Sequence, residues 1–247
     1  MILYFSATGN CKWVAQRMGE ALSDSPISIL DCIKEERFSF EDSVVGIVSP
    51  TYDWGIPSVV REFLSKVRLE AGYLFFVATY GTNPAGAGYF AQKYLGRRID
   101  AFYSVRMPDT WTVQYDLSTP EKVASFCTTT ESDIDAAIGN VSKRARGNFM
   151  RNRVPIWLAR IVYPSFHEKT RLTRHLSAGD ECVGCGLCAR KCPVQAIEMR
   201  DKHPVWTKDK CAMCLGCLHR CPKFAIQYDG GKGTRLHGQY TNPHVKV

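Results

Sequence analysis

Between Cys182 and Cys221 the chain carries one cysteine pattern twice. Cys182, Cys185, Cys188 and Cys192 precede Pro193, and Cys211, Cys214, Cys217 and Cys221 precede Pro222, each run spaced C-x2-C-x2-C-x3-C-P. Four thiolates this close in sequence cannot avoid one another in space, and their softness selects zinc or iron–sulfur clusters. Zinc sites normally use two separated C-x2-C pairs, whereas here a third Cys follows after two more residues and a fourth stands before Pro. The spacing is that of [4Fe–4S] ligation, so two [4Fe–4S] clusters are the expected occupants. The pattern constrains the fold as well. It repeats at 29 residues, with Asp180 on Asp209, Cys182 on Cys211, Cys192-Pro193 on Cys221-Pro222 and Ala196-Ile197 on Ala225-Ile226. Two copies of one unit imply a small module with a pseudo-twofold axis, spanning about Ser177 to Tyr228.

Outside that module the chain has room for one ordinary domain. At 247 residues, 45% hydrophobic and 11% aromatic, the composition is globular rather than disordered. No apolar run approaches the roughly 18 residues of a membrane span. The segment from Met1 to Phe5 reaches polar Ser6 at once and lacks the basic region of a secretory signal. Eleven cysteines in such a chain point to metal ligation in a reducing cytoplasm, and oxygen-sensitive clusters point to an anaerobic setting.

The formal charge of +8 counts the ligand cysteines as neutral. Eight thiolates and two [4Fe–4S]2+ cores sum to about −4, which leaves about +4. The excess is localised, since from Lys143 to His175 nine Lys/Arg stand against one acid, Glu168. Such a belt either docks an acidic redox partner protein or stays solvated beside the chain's own anionic cofactors. No nucleic-acid motif accompanies it. A membrane-surface role for the segment around Trp157 is disfavoured by its shortness and two prolines. Oligomeric state is not written in the sequence.

The first 110 residues alternate apolar runs with helical patterns, the signature of a parallel α/β sheet. Strands are expected at Met1–Phe5, Ile27–Leu30, Val44–Val48, Tyr73–Thr79 and Ala101–Met107. Helices are expected at Asn10–Leu22, from Pro57 to about Val67, and at Ala87–Leu95. Thr119 and Pro120 open a further helix through Phe126, and Ser132 or Asp133 caps another. Trp157, Leu158, Ile161 and Val162 suggest a short docking helix within a basic linker. The expected division is 1–146, a linker at 147–176, the cluster module at 177–229 and a tail at 230–247, frayed or folded back.

Three loops carry a second site. After the first strand comes Ser6-Ala7-Thr8-Gly9-Asn10-Cys11, which opens straight into a helix. Free N–H groups at a helix N-terminus, beside Ser and Thr hydroxyls, form a phosphate cradle that needs no Lys. The third strand ends in Pro50-Thr51-Tyr52-Asp53-Trp54-Gly55, and the fourth in Thr79-Tyr80-Gly81. Ligands of open α/β sheets bind at the carboxyl ends of strands beside the topological switch, where these loops converge. Tyr52, Trp54 and Tyr80 offer flat surfaces for a planar ring, while Gly55 and Gly81 admit backbone close to it. No G-x-G-x-x-G is present. Asp53, Asp109 and the six His form no catalytic arrangement, and His219 is expected to face solvent.

The first loop resembles the flavodoxin phosphate loop, (S/T)-x-T-G-x-T, with Cys11 in place of the final Thr. Over nearly its full length the chain resembles the flavodoxin–ferredoxin fusion family. That likeness implies a doubly wound sheet of order 2-1-3-4-5 and a small α+β two-cluster ferredoxin domain. It implies FMN on the three loops, and single electrons passing between FMN and the clusters. As in two-cluster ferredoxins, the fourth cysteine of each run crosses over. The first cluster then takes Cys182, Cys185, Cys188 and Cys221, and the second takes Cys211, Cys214, Cys217 and Cys192. Gly184, Gly186 and Gly216 let the backbone wrap each cluster. Cys11, at a helix N-terminus, is either a reactive thiol or a small residue tolerated in the cradle. A reductase of a small substrate, walled by Trp111 and Tyr115, and a flavin-free docking domain are the alternatives.

Overall fold

Period-two alternation in the central strands demands cover on both faces. Leu74, Phe76 and Ala78 join one core cluster and Tyr73, Phe75 and Val77 the other, all fully buried. Strands apolar on both sides need a helical layer on each. The computed structural model describes residues 1–247 and meets that demand. In chain order the sheet domain runs β1 (Ile2–Tyr4), α1 (Asn10–Leu22), β2 (Pro26–Ser28), α2 (Ile29–Lys34), β3 (Ser39–Pro50) and α3 (Ser58–Leu64). It continues with β4 (Arg68–Tyr80), α4 (Ala87–Leu95), β5 (Ala101–Arg106), α5 (Pro120–Phe126), α6 (Thr130–Ser142), β6 (Gly147–Asn148) and α7 (Ile156–Thr170). All neighbours are parallel in the order β2-β1-β3-β4-β5-β6. Helices α1 and α6 cover one face, and α2, α3, α4 and α7 the other.

The differences from expectation are local. The expected second strand stops at Ser28, because Ile29 and Cys32 are buried on one side of a helix whose first turn holds Asp31. Thr129 rather than Ser132 or Asp133 precedes α6. The Asp133 carboxylate lies inside that helix and accepts the Arg106 N–H (3.2 Å) and the Thr129 hydroxyl (3.0 Å). A sixth strand is added by Gly147 and Asn148, too short and polar to carry an apolar pattern.

The largest difference is α7, fifteen residues long with Pro164 inside it. Its seated face is Ala159, Tyr163 and His167, not the Trp157–Val162 stripe, and Trp157 and Ile161 are 63% and 64% exposed. Two glycines explain the seating. A Cβ at Gly55 would overlap the Tyr163 ring, and one at Gly86 would lie 2.9 Å from Ala159 Cβ. The Tyr163 hydroxyl then donates to Ile56 O at 2.5 Å. Pro164 faces water, where the carbonyl it leaves unpaired is solvated.

The cysteine module follows as β7 (Leu176–Ala178), α8 (Leu187–Arg190), β8 (Ile197–Arg200), β9 (His203–Trp206), α9 (Gly216–His219) and β10 (Ile226–Tyr228). β7 pairs antiparallel with β10, and β8 with β9. The 29-residue repeat holds at the level of single bonds. Ala196 N–H donates to Cys192 Sγ at 3.2 Å, and Ala225 N–H to Cys221 Sγ at 3.3 Å. Left-handed backbone recurs at Gly184 and Met213, at Gly186 and Leu215, and at Gln195 and Phe224. A last helix, α10 (Thr234–His237), leads into a tail that folds back onto the first ten residues. Tyr240 and Asn242 are buried there, and Asn242 N–H donates to Thr8 O at 2.7 Å.

Candidate functional site

The register of the sheet brings the three loops level. Tyr4 stands beside Val48, Pro50 beside Thr79 and Tyr80 beside Arg106, so the carboxyl ends of β1, β3, β4 and β5 open on one cavity of about 260 Å³. Ser6, Ala7, Thr8, Asn10, Cys11, Pro50, Thr51, Tyr52, Trp54, Thr79, Tyr80 and Gly81 all line it. Gly9 and Gly55 do not. Gly9 is left-handed (φ +103°) with the tail packed against it, and it turns the chain into α1 without a side-chain cap. The first-turn N–H groups of α1 thus stay free for an anion. Gly55 faces Tyr163.

Of the wall opposite the loops, only Trp111 and Tyr115 were expected. Met107, Pro108, Asp109, Trp111, Gln114 and Tyr115 from the segment after β5, Phe166 and Thr170 of α7, and Met213, Cys214 and Leu215 of the cysteine module face the cavity. A Cβ at Gly81 would overlap the Asp109 carboxyl, so backbone and acid are in direct contact. Burial pushes Asp109 up to about 6, with the nearby negative Asp53 adding to it and the Trp111 N–H opposing. Asp53 and Trp54 are both left-handed in a tight turn closed by Tyr52 N–H to Gly55 O (3.0 Å) and Gly55 N–H to Tyr52 O (2.8 Å). Such turns favour glycine, and here the strain is held from outside. Asp53 Oδ2 lies 2.8 Å from buried His167 Nδ1 and accepts the Thr170 hydroxyl at 2.7 Å. These partners are more than a hundred residues apart, and no local motif announces them.

Cys11 is the tolerated small residue, not a reactive thiol. It is 1% exposed, its Sγ lies 3.1 Å from Thr79 Oγ1, and burial pushes it up to about 12. Thr51 Oγ1 is buried in the lining without a protein partner. An orphaned hydroxyl, free N–H groups and aromatic faces together fit a flavin mononucleotide.

Two further cavities lie in the module. One is lined by Cys182, Cys185, Cys188 and Cys221, the other by Cys192, Cys211, Cys214 and Cys217. Each set rings a space instead of converging on a point, and no three His, Cys, Asp or Glu side chains are spaced for a single metal ion. Burial pushes Cys211 up to about 12 and raises Cys214 and Cys217. Thiolates form there only against bound metal. Soft donors around a hollow fit [4Fe–4S] clusters.

Comparison with known proteins agrees. The flavodoxin domain family matches residues 1–136, and a 4Fe-4S dicluster domain matches residues 176–222. The chain belongs to the flavodoxin domain family. It carries the dicluster domain in fusion, which makes FMN and two [4Fe–4S] clusters its cofactors and the protein an iron–sulfur flavoprotein of electron transfer. A stretch of 34 residues is 50% identical to NADH-quinone oxidoreductase subunit 9 of Thermus thermophilus, covering 14% of this chain and 19% of that protein. The chain thus spans about a fifth of that curated relative's length. Among solved structures, the Trp repressor binding protein of Bacillus subtilis is 11% identical, with a TM-score of 0.36 over 60% of this chain and 100% of that one. A flavoprotein in complex with FMN from Lactobacillus acidophilus is 14% identical, with a TM-score of 0.31 over 42% and 90%.

The flavodoxin and dicluster domains meet through residues that sequence reading missed. His219 is buried and does not face solvent. Its Nδ1 accepts the Tyr240 N–H at 3.1 Å, and its Nε2 lies 2.8 Å from Thr110 O, which fixes a neutral ring as donor to that carbonyl. Desolvation lowers it to about 4. The tail reaches the phosphate loop beside it, where the Tyr240 hydroxyl (2.9 Å) and Asn242 Nδ2 (3.1 Å) both donate to Asn10 Oδ1. In the basic belt, Arg146, Arg151 and Arg171 are paired with acids, and Arg171 Nε also donates to Cys211 O at 2.8 Å.

Proposed function

We propose that this protein relays single electrons between its two clusters and FMN, in the order first cluster, second cluster, flavin. One observation carries the reading. Met213, Cys214 and Leu215 line both the flavin cavity and the cavity of the second cluster, whereas no residue of the first cluster's cavity reaches the flavin. When bound, the clusters supply one-electron steps and the flavin couples them to two-electron chemistry. The chain supplies the rest. The first turn of α1 holds the phosphate ester, Trp54 and Tyr52 wall the ring, and Asp53 is pinned by His167 and Thr170 so that the turn beside the ring keeps its shape. The outer end is accessible, with Cys185 exposed and Val183 58% exposed.

Anaerobic reconstitution followed by iron and flavin analysis tests the relay. The expected content is about eight irons and one FMN per chain, with flavin reduction by a one-electron donor lost once the irons are chelated. Eight irons without FMN, or flavin reduction indifferent to chelation, would overturn it.

A second reading makes the flavin a reductant of a small planar acceptor. It is favoured by Asp109, Trp111, Tyr115 and Phe166 lining the same cavity, an acid beside aromatic faces. Turnover of quinones, nitro compounds or enones by the reduced protein alone supports it. For the electron donor we propose an acidic protein on the basic belt, supported by exposed Arg160 and Lys169 beside the uncovered Trp157 and Ile161. No helix is long and apolar enough to cross a membrane.

A further inference from the structure

The two halves of the dicluster domain share a backbone and part company just before their fourth cysteine. The first half reads Ala189-Arg190-Lys191-Cys192 and the second Leu218-His219-Arg220-Cys221. In the first, Lys191 is exposed and Arg190 turns back on its own ligand loop, donating to Cys185 O at 2.8 Å. In the second, both side chains reach inward. His219 meets Thr110 and Tyr240, and Arg220 Nη1 donates to Ala7 O of the phosphate loop at 3.0 Å. Arg220 Nη2 donates to Lys191 O at 3.2 Å, one residue from the ligand Cys192, and its Nε is buried with no partner in the protein.

Gly216 marks where that guanidinium lies. A Cβ there would stand 2.7 Å from Arg220 Nη2 and 3.5 Å from Cys214 Sγ, so the guanidinium and a ligand of the second cluster flank one methyl-sized space. A guanidinium is thus held between the cradle for a phosphate ester and the thiolates of one cluster. In a partly buried setting its influence on both is weakly screened.

We propose that Arg220 couples the two cofactor sites electrostatically, favouring the reduced second cluster and the phosphate held by the Ser6–Cys11 loop with the same charge. One arm of the guanidinium serves each site, so a shift toward one anion draws it from the other, and that linkage is reciprocal. Filling the phosphate site makes the second cluster harder to reduce, and reducing that cluster loosens the flavin by the same factor. The inference rests on the relay reading only in placing FMN and the second cluster side by side.

The test uses the full chain, anaerobically reconstituted, as the unmutated protein and as Arg220→Lys and Arg220→Gln. Cluster potentials are read by redox titration under electron paramagnetic resonance, and FMN affinity by flavin fluorescence. In Arg220→Gln one cluster moves to a more negative potential while the other stays, and FMN binds roughly tenfold more weakly, as for loss of one charge-assisted hydrogen bond. Arg220→Lys, which keeps the charge, falls between. In the unmutated protein, removing FMN makes the same cluster easier to reduce, and Arg220→Gln shrinks that response to what direct repulsion between the two anions leaves. Unchanged potentials in Arg220→Gln, equal shifts of both clusters, or no response to FMN in the unmutated protein would each overturn the proposal. The last measurement needs no variant, so a misfolded mutant does not rescue it. Eight irons with no FMN uptake sinks the relay instead, and the one-cluster shift in Arg220→Gln then decides the role of Arg220 alone.

Discussion

Asp109 is a carboxyl group held in a cavity without a cation, and its proton follows from that. Unfolded, it releases the proton near pH 4; folded, it holds it to about 6. The folded state therefore binds more protons in that window, so stability falls as pH rises from about 4 to about 6 and stays lower above it. Asp109→Asn removes the penalty. It should gain about 3 kcal/mol at neutral pH and little near pH 4, read as unfolding midpoints at the two pH values. An equal gain at both would show that burial of the charge is not the cause. His219 makes the opposite case, a polar group of the dicluster domain whose two partners come from the flavodoxin domain and from the tail. His219→Ala leaves Thr110 O and the Tyr240 N–H unpaired beside a new cavity and should cost about 2–4 kcal/mol. Hydrogen exchange at Tyr240 and Asn242 should accelerate, and unchanged protection there would remove the bridging role.

At the scale of elements, α7 is held by a notch rather than by its own apolar stripe. Gly55→Ala forces a methyl into the Tyr163 ring and should destabilise by about 1–3 kcal/mol, against about 1 kcal/mol for Tyr163→Phe, which loses only the bond to Ile56 O. Equal losses in denaturant unfolding would contradict the notch. The tail is a second such element. Removing residues 241–247 takes away the Asn242 bonds to Thr8 and Asn10 while keeping Gln239 on the Cys221 carbonyl and Tyr240 on His219, and FMN should bind about tenfold more weakly with iron content unchanged. These two elements also mark the limit of what the sequence disclosed. The central strands were readable because they are short, continuous apolar runs, and α5 because the Thr119-Pro120 pair opens it. The cluster sets were readable because ligand spacing is itself local chemistry. Helix α7 misled because its most apolar stripe points outward, and the face that seats it is defined by two glycines far back in the chain, Gly55 and Gly86. The tail, Asp109 against Gly81, and Arg220 on Ala7 are contacts between distant segments, and no period or motif encodes those.

For the whole molecule, charge is divided between structure and surface. Glu168 gathers Arg61, Arg171 and Lys210, which holds its carboxyl down at about 2 and ties α7 to α3 and the dicluster domain. Arg171 thus belongs to the fold, whereas Lys169 faces water and exposed Arg160 lies only over the Tyr89 ring, at 5.4 Å. Reversing those two to Glu should slow reduction by an acidic donor several-fold at low salt and leave the clusters intact; rates flat across ionic strength would remove the belt from docking. One further consequence belongs to the order in which the chain is made. Thr8 and Asn10 leave the ribosome more than two hundred residues ahead of the segment that fastens them, Tyr240 and Asn242. A nascent flavodoxin domain has its sheet early but meets its own clasp only after the cysteine runs have been synthesised. Tight loading of flavin is thereby deferred until the segment that carries the iron has already been built.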